Sequence, residues 1–131
     1  MPSIVVDVRR EVTRVEGGQI LEAVHAALVE AFKTLPNRKN LVLVCHEPHR
    51  FIGDPGCEQP DRLTNVSLYV LPGRSLAAKR LLYRRIVENL APLGIPPACV
   101  LIRLHEMPPQ NIGVRGGQAV CDVDLGYSLD V

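Results

Sequence analysis

The chain has 131 residues, a formal net charge of +1 and 47% hydrophobic residues, which suits one domain, residues 1–131, with a packed core. The near-zero charge argues against a nucleic-acid partner, and 4% aromatic residues with no Trp leave no stacking platform for single strands. No apolar run approaches the ~20 residues needed to cross a bilayer, so no membrane partner is expected.

Met1 is followed by Pro2 and then by a β-branched run, Ser3 to Val8, that reads as a strand. A small second residue favours removal of Met1. Pro2 would then carry a free secondary amine instead of an amide nitrogen. An α-amino group has a reference pKa near ~8, and an apolar site disfavours its charged form. Such an amine is a competent general base, acid or nucleophile. Taken alone, Met-Pro is a common start without meaning, so the rest of the chain must carry the argument.

Arg9-Arg10-Glu11 and Gly17-Gly18 read as the connection to a first helix, expected over Gln19 to Thr34. Ile20, Val24, Ala27, Leu28 and Ala31 form its apolar stripe, with Glu22 and Glu30 outside it. Pro36-Asn37-Arg38-Lys39-Asn40 is a stop and turn. Leu41 to Cys45 is apolar on both faces, as in a strand covered on both sides. Helices cover one face, and a further subunit is expected on the other. A long loop from His46 to Arg62 follows, either functional or folded into a short hairpin. Thr64 to Leu71 alternates in character and reads as a third strand. Ser75 is a suitable N-cap for a second helix from Leu76 to about Leu93, which Gly94 and Pro96-Pro97 end. Val100 to His105 reads as a fourth strand. A Gly-rich tail from Gly113 closes the chain, with a short strand expected over Ala119 to Val123.

The order is β-α-β, loop, β-α-β. His46-Glu47-Pro48 with Ile52-Gly53 is echoed by His105-Glu106-Met107 with Ile112-Gly113, about sixty residues on. Duplication into halves at about 2–60 and 61–120 predicts an α/β (α+β) fold: a four-stranded mixed sheet with two helices on one face. The four cysteines show no CxxC spacing, and nothing at the start resembles a secretion signal. Reduced thiols and a cytoplasmic setting are therefore expected. Cys45-His46, His49 and Cys57 are zinc-type residues, but their spacing matches no finger, and no metal or cofactor is expected. Gly113-Val114-Arg115-Gly116-Gly117 lacks the strand-to-helix setting of a phosphate loop.

Three features occur together: Pro2 heading a strand, two βαβ halves, and the segment Glu106-Met107-Pro108-Pro109-Gln110-Asn111-Ile112-Gly113. In this combination the chain resembles the tautomerase superfamily, up to about Gly117, and looks like one of its long members with two fused units. Its second half, from Gly73-Arg74-Ser75 to Pro108, is most similar to cis-3-chloroacrylic acid dehalogenase. Its first half, with His25, Ala31-Phe32 and His46, resembles malonate semialdehyde decarboxylase.

The resemblance implies a homotrimer in which Pro2 is catalytic and Arg74 binds the carboxylate of a small substrate. A guanidinium at a helix start suits that task, by paired hydrogen bonds and a favourable helix field. Arg103 is either a second anion-binding group or the partner of an acid across a subunit boundary. Arg115 either closes over the substrate or is a solvated loop charge. Ile112 and other apolar side chains keep water out. His46 and His105 read as structural.

The departures are specific. Arg38 stands where the decarboxylase has a carboxylate. Phe32, Arg103 and Val114 stand where the dehalogenase has histidine, tyrosine and glutamate. Leu71 or Pro72 fills the place of a further arginine. Activating water for hydration or dehalogenation needs an acid or base partner, and these positions do not supply one; dehalogenase and decarboxylase activities are therefore not expected. The expected activity is therefore keto-enol tautomerisation, an isomerase reaction on a 2-oxo or enol acid. The alternatives are a diverged binding or assembly protein, or a hydratase or decarboxylase of the same superfamily.

Overall fold

A central strand, β1 (Ser3–Val8), joins two β-α-β halves in the computed structural model, which describes residues 2–126 and 128–131. β1 leads through α1 (Arg14–Phe32) to β2 (Leu41–Cys45), which lies parallel beside it. β3 (Thr64–Val70) leads through α2 (Leu76–Leu90) to β4 (Val100–Glu106), again in parallel. The halves meet where β1 pairs antiparallel with β3, so the sheet runs β2-β1-β3-β4. The mixed four-stranded sheet with two helices is the architecture expected from the sequence.

Strand side chains alternate between two faces. Ile4, Val6 and Val8 of β1 join Val66, Leu68 and Val70 of β3 in one buried cluster. Ile20, Val24 and Leu28 of α1 and Leu82, Ile86 and Leu90 of α2 complete that cluster, so both helices cover the same side of the sheet. Asn89 of α2 donates to the Ala23 carbonyl at 3.1 Å, and Arg85 reaches Glu30 of α1, which ties the helices at their surface. The other sheet face is open. It presents Ser3, Val5 and Asp7 of β1 with Asn65, Ser67 and Tyr69 of β3, and its edge positions Val42 and Leu101 are each 46% exposed.

α1 begins five residues before the expected start. Thr13 and Glu16 form a capping box, in which the Glu16 N–H donates to Thr13 Oγ1 at 3.1 Å and the Thr13 N–H donates to Glu16 at 3.4 Å. Arg10 donates to the Glu16 carboxyl and, with the Thr13 backbone, holds it below the usual carboxylate range. Gly17, expected in the connection, is inside the helix. A Cβ there would lie 3.0 Å from Leu43 Cδ2, so glycine lets α1 close onto β2. The helix stops at Phe32 because Lys33 adopts a left-handed conformation, φ 57°.

The loop from His46 to Arg62 contains no hairpin. It makes single 3₁₀ turns at Pro48–Arg50 and Pro60–Arg62. It is fastened by a disulfide between Cys57 and Cys99, which corrects the expectation of reduced thiols and uses up one of the zinc-type residues. Although 42 residues apart in sequence, the two cysteines have Cα atoms 4.7 Å apart, within ordinary bridging range. Both are buried with Phe51 and Leu63 in a small second cluster. Cys45 and Cys121 are free. In the tail, β5 (Gly113–Val114) and β6 (Gln118–Ala119) form a hairpin. A 3₁₀ turn at Val120–Asp122 follows where the short strand was expected to run on to Val123. No helix among the described residues is long and apolar enough to cross a membrane.

Candidate active site

Strand directions decide which loops meet. β2 runs parallel to β1 with Leu41 opposite Ile4, so the turn before β2 lies beside the start of β1. β3 runs antiparallel with Tyr69 opposite Ser3, and β4 follows β3, so both end at that same edge. Pro2, residues 36–40, the Arg74 turn and the segment after Glu106 therefore gather at one end of the sheet. Two bonds stitch the turn to β1: the Ile4 N–H donates to the Asn40 carbonyl, and the Asn40 side chain donates to Ser3 Oγ, each at 2.9 Å.

Pro2 is buried at this end and lines a cleft of about 260 Å³. That volume lies just under the range of roughly 300–1,000 Å³ usual for drug-sized ligands, so a small molecule fits. One wall is the turn Asn37 to Asn40, bringing Arg38 and Lys39. A second is the β5–β6 turn with Val114 and Arg115, and a third is Val123 and Leu125 of the tail. Arg115, Gly116 and Gly117 all have positive φ, at 49°, 80° and 104°. For Arg115 this left-handed backbone costs about 1–2 kcal/mol. Strain of this kind is held by its surroundings, often at functional positions. Here the Arg115 guanidinium donates to the Asp124 carbonyl at 3.0 Å, joining the turn to the tail wall.

The charged side chains of this cleft are all cationic: Arg38, Lys39 and Arg115, with no Asp, Glu or His among the described lining residues. Lys39 is paired outward with Glu22 at 3.1 Å. Among the described residues Arg38 makes no ion pair, and the hydrogen bond of Arg115 goes to a neutral carbonyl.

The other candidate residues are distributed around this cleft. Arg74 lies at the same sheet end but is only 7% exposed. Its guanidinium stacks 4.8 Å from the Phe32 ring centroid and donates to the Leu71 carbonyl at 3.2 Å. It is not among the described lining residues. Ile112 lines an adjoining cavity of about 590 Å³ on the open sheet face, which shares Asn40 and Val114 with the Pro2 cleft. Arg103 lines another cavity, of about 480 Å³, with Asn65, Leu101 and the Gly53 loop. Pro2 and Arg115 are thus brought together, while Arg74, Ile112 and Arg103 stand outside that cleft. His46, at the opposite end of β2, bonds Asp7 at 2.6 Å, and His105 stacks on Tyr69 with centroids 4.6 Å apart. Met1 lies outside the described residues, so its expected removal has no structural counterpart.

In the sequence Lys39 was readable only as a turn residue, and Arg38 only as the residue standing where the decarboxylase has a carboxylate. The available signal was a basic pair just before a strand that runs parallel to the proline strand. Parallel pairing sets the residues before the two strands side by side.

No curated protein matches the chain in sequence. Among solved structures, a malonate semialdehyde decarboxylase inhibited by 3-bromopropiolate is 27% identical with a TM-score of 0.77, over 85% of this chain and 87% of that one. A second malonate semialdehyde decarboxylase, described with decarboxylase and hydratase activities, is 21% identical with a TM-score of 0.80, over 88% of this chain and 92% of that one. Native fused 4-OT is 18% identical with a TM-score of 0.80, over 95% and 99% of the two chains, and fused 4-OT also occurs as a trimer. These likenesses agree with the mixed sheet and its paired helices. The sequence pattern described as "Tautomerase enzyme" matches residues 39–115, more than half of the chain, from the basic turn through β4 to Arg115, and the chain therefore belongs to the tautomerase enzyme family.

Proposed function

We propose that this protein is a keto-enol tautomerase that uses the amine of Pro2, freed by loss of Met1, on a small 2-oxo or enol carboxylic acid. The observation that carries the reading is Pro2 itself, buried at the head of the central strand in a cleft whose charged lining is wholly cationic. Burial and neighbouring positive charge both disfavour a protonated amine, so the nitrogen is held neutral and ready to accept a proton. In ketonisation it takes the enol hydroxyl proton and delivers a proton to the adjacent carbon, which returns the amine to its starting state. The same cations stabilise the enolate oxygen while it carries charge. Arg115 holds the substrate carboxylate by paired hydrogen bonds. Val114, Val123 and Leu125 limit water, which strengthens these contacts. Arg74 stiffens the end of α1 through Phe32 and contributes positive potential to the same sheet end.

The described lining offers no carboxylate or imidazole to activate water, which favours isomerisation over hydration. No cofactor takes part in this proton transfer. The open sheet face, with Val42 and Leu101 half exposed, suits a homotrimer, and fused 4-OT occurs as a trimer.

Intact mass of the purified protein, followed by a ketonisation assay with phenylenolpyruvate, tests the reading. A mass lacking the initiator methionine together with turnover is the expected result. Retained Met1 would leave Pro2 without a free amine and defeat the reading; loss of Met1 with neither turnover nor binding across a panel of 2-oxo acids would favour a diverged binding or assembly protein.

A further inference from the structure

We infer that Asn40 is a positioning residue for the Pro2 amine, acting through Ser3. The inference rests on the reading of Pro2 as the base and adds the side chain that aims it. With Met1 gone, the proline ring closes rotation about its own N–Cα bond. Rotation about the next backbone bond, Cα–C, is then the freedom that turns the nitrogen, and Ser3 is its far anchor. Strand pairing reaches Ser3 from one side only. On the β3 side Ser3 stands opposite Tyr69, whereas on the β2 side the register begins at Ile4 opposite Leu41. Asn40 fills the missing position. Its carbonyl accepts from the Ile4 N–H at 2.9 Å, and its side-chain amide donates to Ser3 Oγ, also at 2.9 Å. The side-chain bond extends the β1–β2 pairing by one residue towards Pro2.

Asn40 lines the Pro2 cleft and also the adjoining cavity on the open sheet face. Its tether to Ser3 therefore belongs to the wall beside the reacting nitrogen. Proton transfer to and from a substrate carbon depends on how the lone pair is aimed, so a small misplacement of the amine slows the reaction steeply. Asn40 is uncharged. Removing its side chain alters the aim of the amine and leaves the cationic lining in place. The bond from Ile4 goes to a backbone carbonyl, so it survives when the side chain is cut back. Replacement by alanine thus removes the tether to Ser3 and keeps the turn attached to β1.

The test is ketonisation of phenylenolpyruvate by Asn40→Ala. Its kcat is expected to fall by about five- to tenfold, the loss of one neutral hydrogen bond, with KM changed by less than about twofold. Ser3→Ala should lose the same amount. The double variant should lose no more than either single one, because both replacements break one bond. Asn40 is exposed, so the fold tolerates the change, which a thermal melt verifies. An unchanged kcat, a raised KM with kcat kept, or losses that multiply in the double variant overturns the inference. Pro2→Ala separates it from the reading beneath it. If Pro2→Ala is slow and Asn40→Ala slows it no further, Asn40 works through the proline as inferred. If Asn40→Ala slows Pro2→Ala again by the same factor, Asn40 acts elsewhere and only the inference fails. If Pro2→Ala is as fast as the unmodified protein, the reading of Pro2 as the base falls, and the inference with it.

Discussion

Replacing Pro2 with alanine is expected to lower kcat/KM for phenylenolpyruvate ketonisation by about 10²–10⁴-fold, the usual contribution of a positioned general base. Alanine also permits removal of Met1, so an amine remains at the chain start. It is a primary amine on a residue with free φ, however, whereas the proline ring fixes φ near about −65° and holds the nitrogen in one direction. The variant therefore loses the position and character of the base, not its existence. The core should tolerate the change, since proline has no N–H to give the sheet and Ile4, Val6 and Val8 keep their places. Activity within twofold of the unmodified protein, by initial rates at saturating and limiting substrate, would remove Pro2 from the mechanism.

Cutting Phe32 back to alanine is expected to cost about 3–5 kcal/mol of stability, the usual range for emptying a buried aromatic site. Phe32 has 0% exposure at the last turn of α1, and its ring carries the Arg74 guanidinium at 4.8 Å. The cavity and the lost cation–π contact, worth about 0.5–2 kcal/mol, fall in the same place. Phe32→Leu separates them, because leucine refills most of the volume without an aromatic face. Urea unfolding should rank unmodified above leucine above alanine. Equal stability of all three would mean that Arg74 and Phe32 do not support each other. The consequence reaches the site, since this pair lies at the sheet end where Pro2 and the basic turn meet.

Much of this arrangement was legible in the residues. β1 and β2 fall where their β-branched and apolar runs begin and end, and the Ile20-Val24-Leu28 and Leu82-Ile86-Leu90 stripes are the buried helix faces. The start of α1 was misjudged because Gly17-Gly18 read as a linker, although Thr13 and Glu16 carried a capping signal three residues apart. Cys57 and Cys99 gave no local sign of pairing, because their approach depends on how the long loop folds over the start of β4. Pro2 and Arg115, both named from the sequence, line one cleft. That Arg38 lines the cleft depends on register, because the parallel pairing of β2 with β1 sets the turn before β2 beside Pro2. Arg103 was read with two roles open, a second anion-binding group or the partner of an acid across a subunit boundary. Alternation along β4 places it on the open face correctly, but that face leads to another cavity.

The most direct measurement bears on the nitrogen atom. A form carrying a short peptide ahead of Pro2 converts its amine into an amide while keeping every other side chain. Site-specific proteolysis that exposes Pro2 then regenerates the native start. Ketonisation by the extended form should be at least about 100-fold slower, the lower bound for a positioned base, and should return on cleavage. Full activity before cleavage would show that the free amine at residue 2 is not the base.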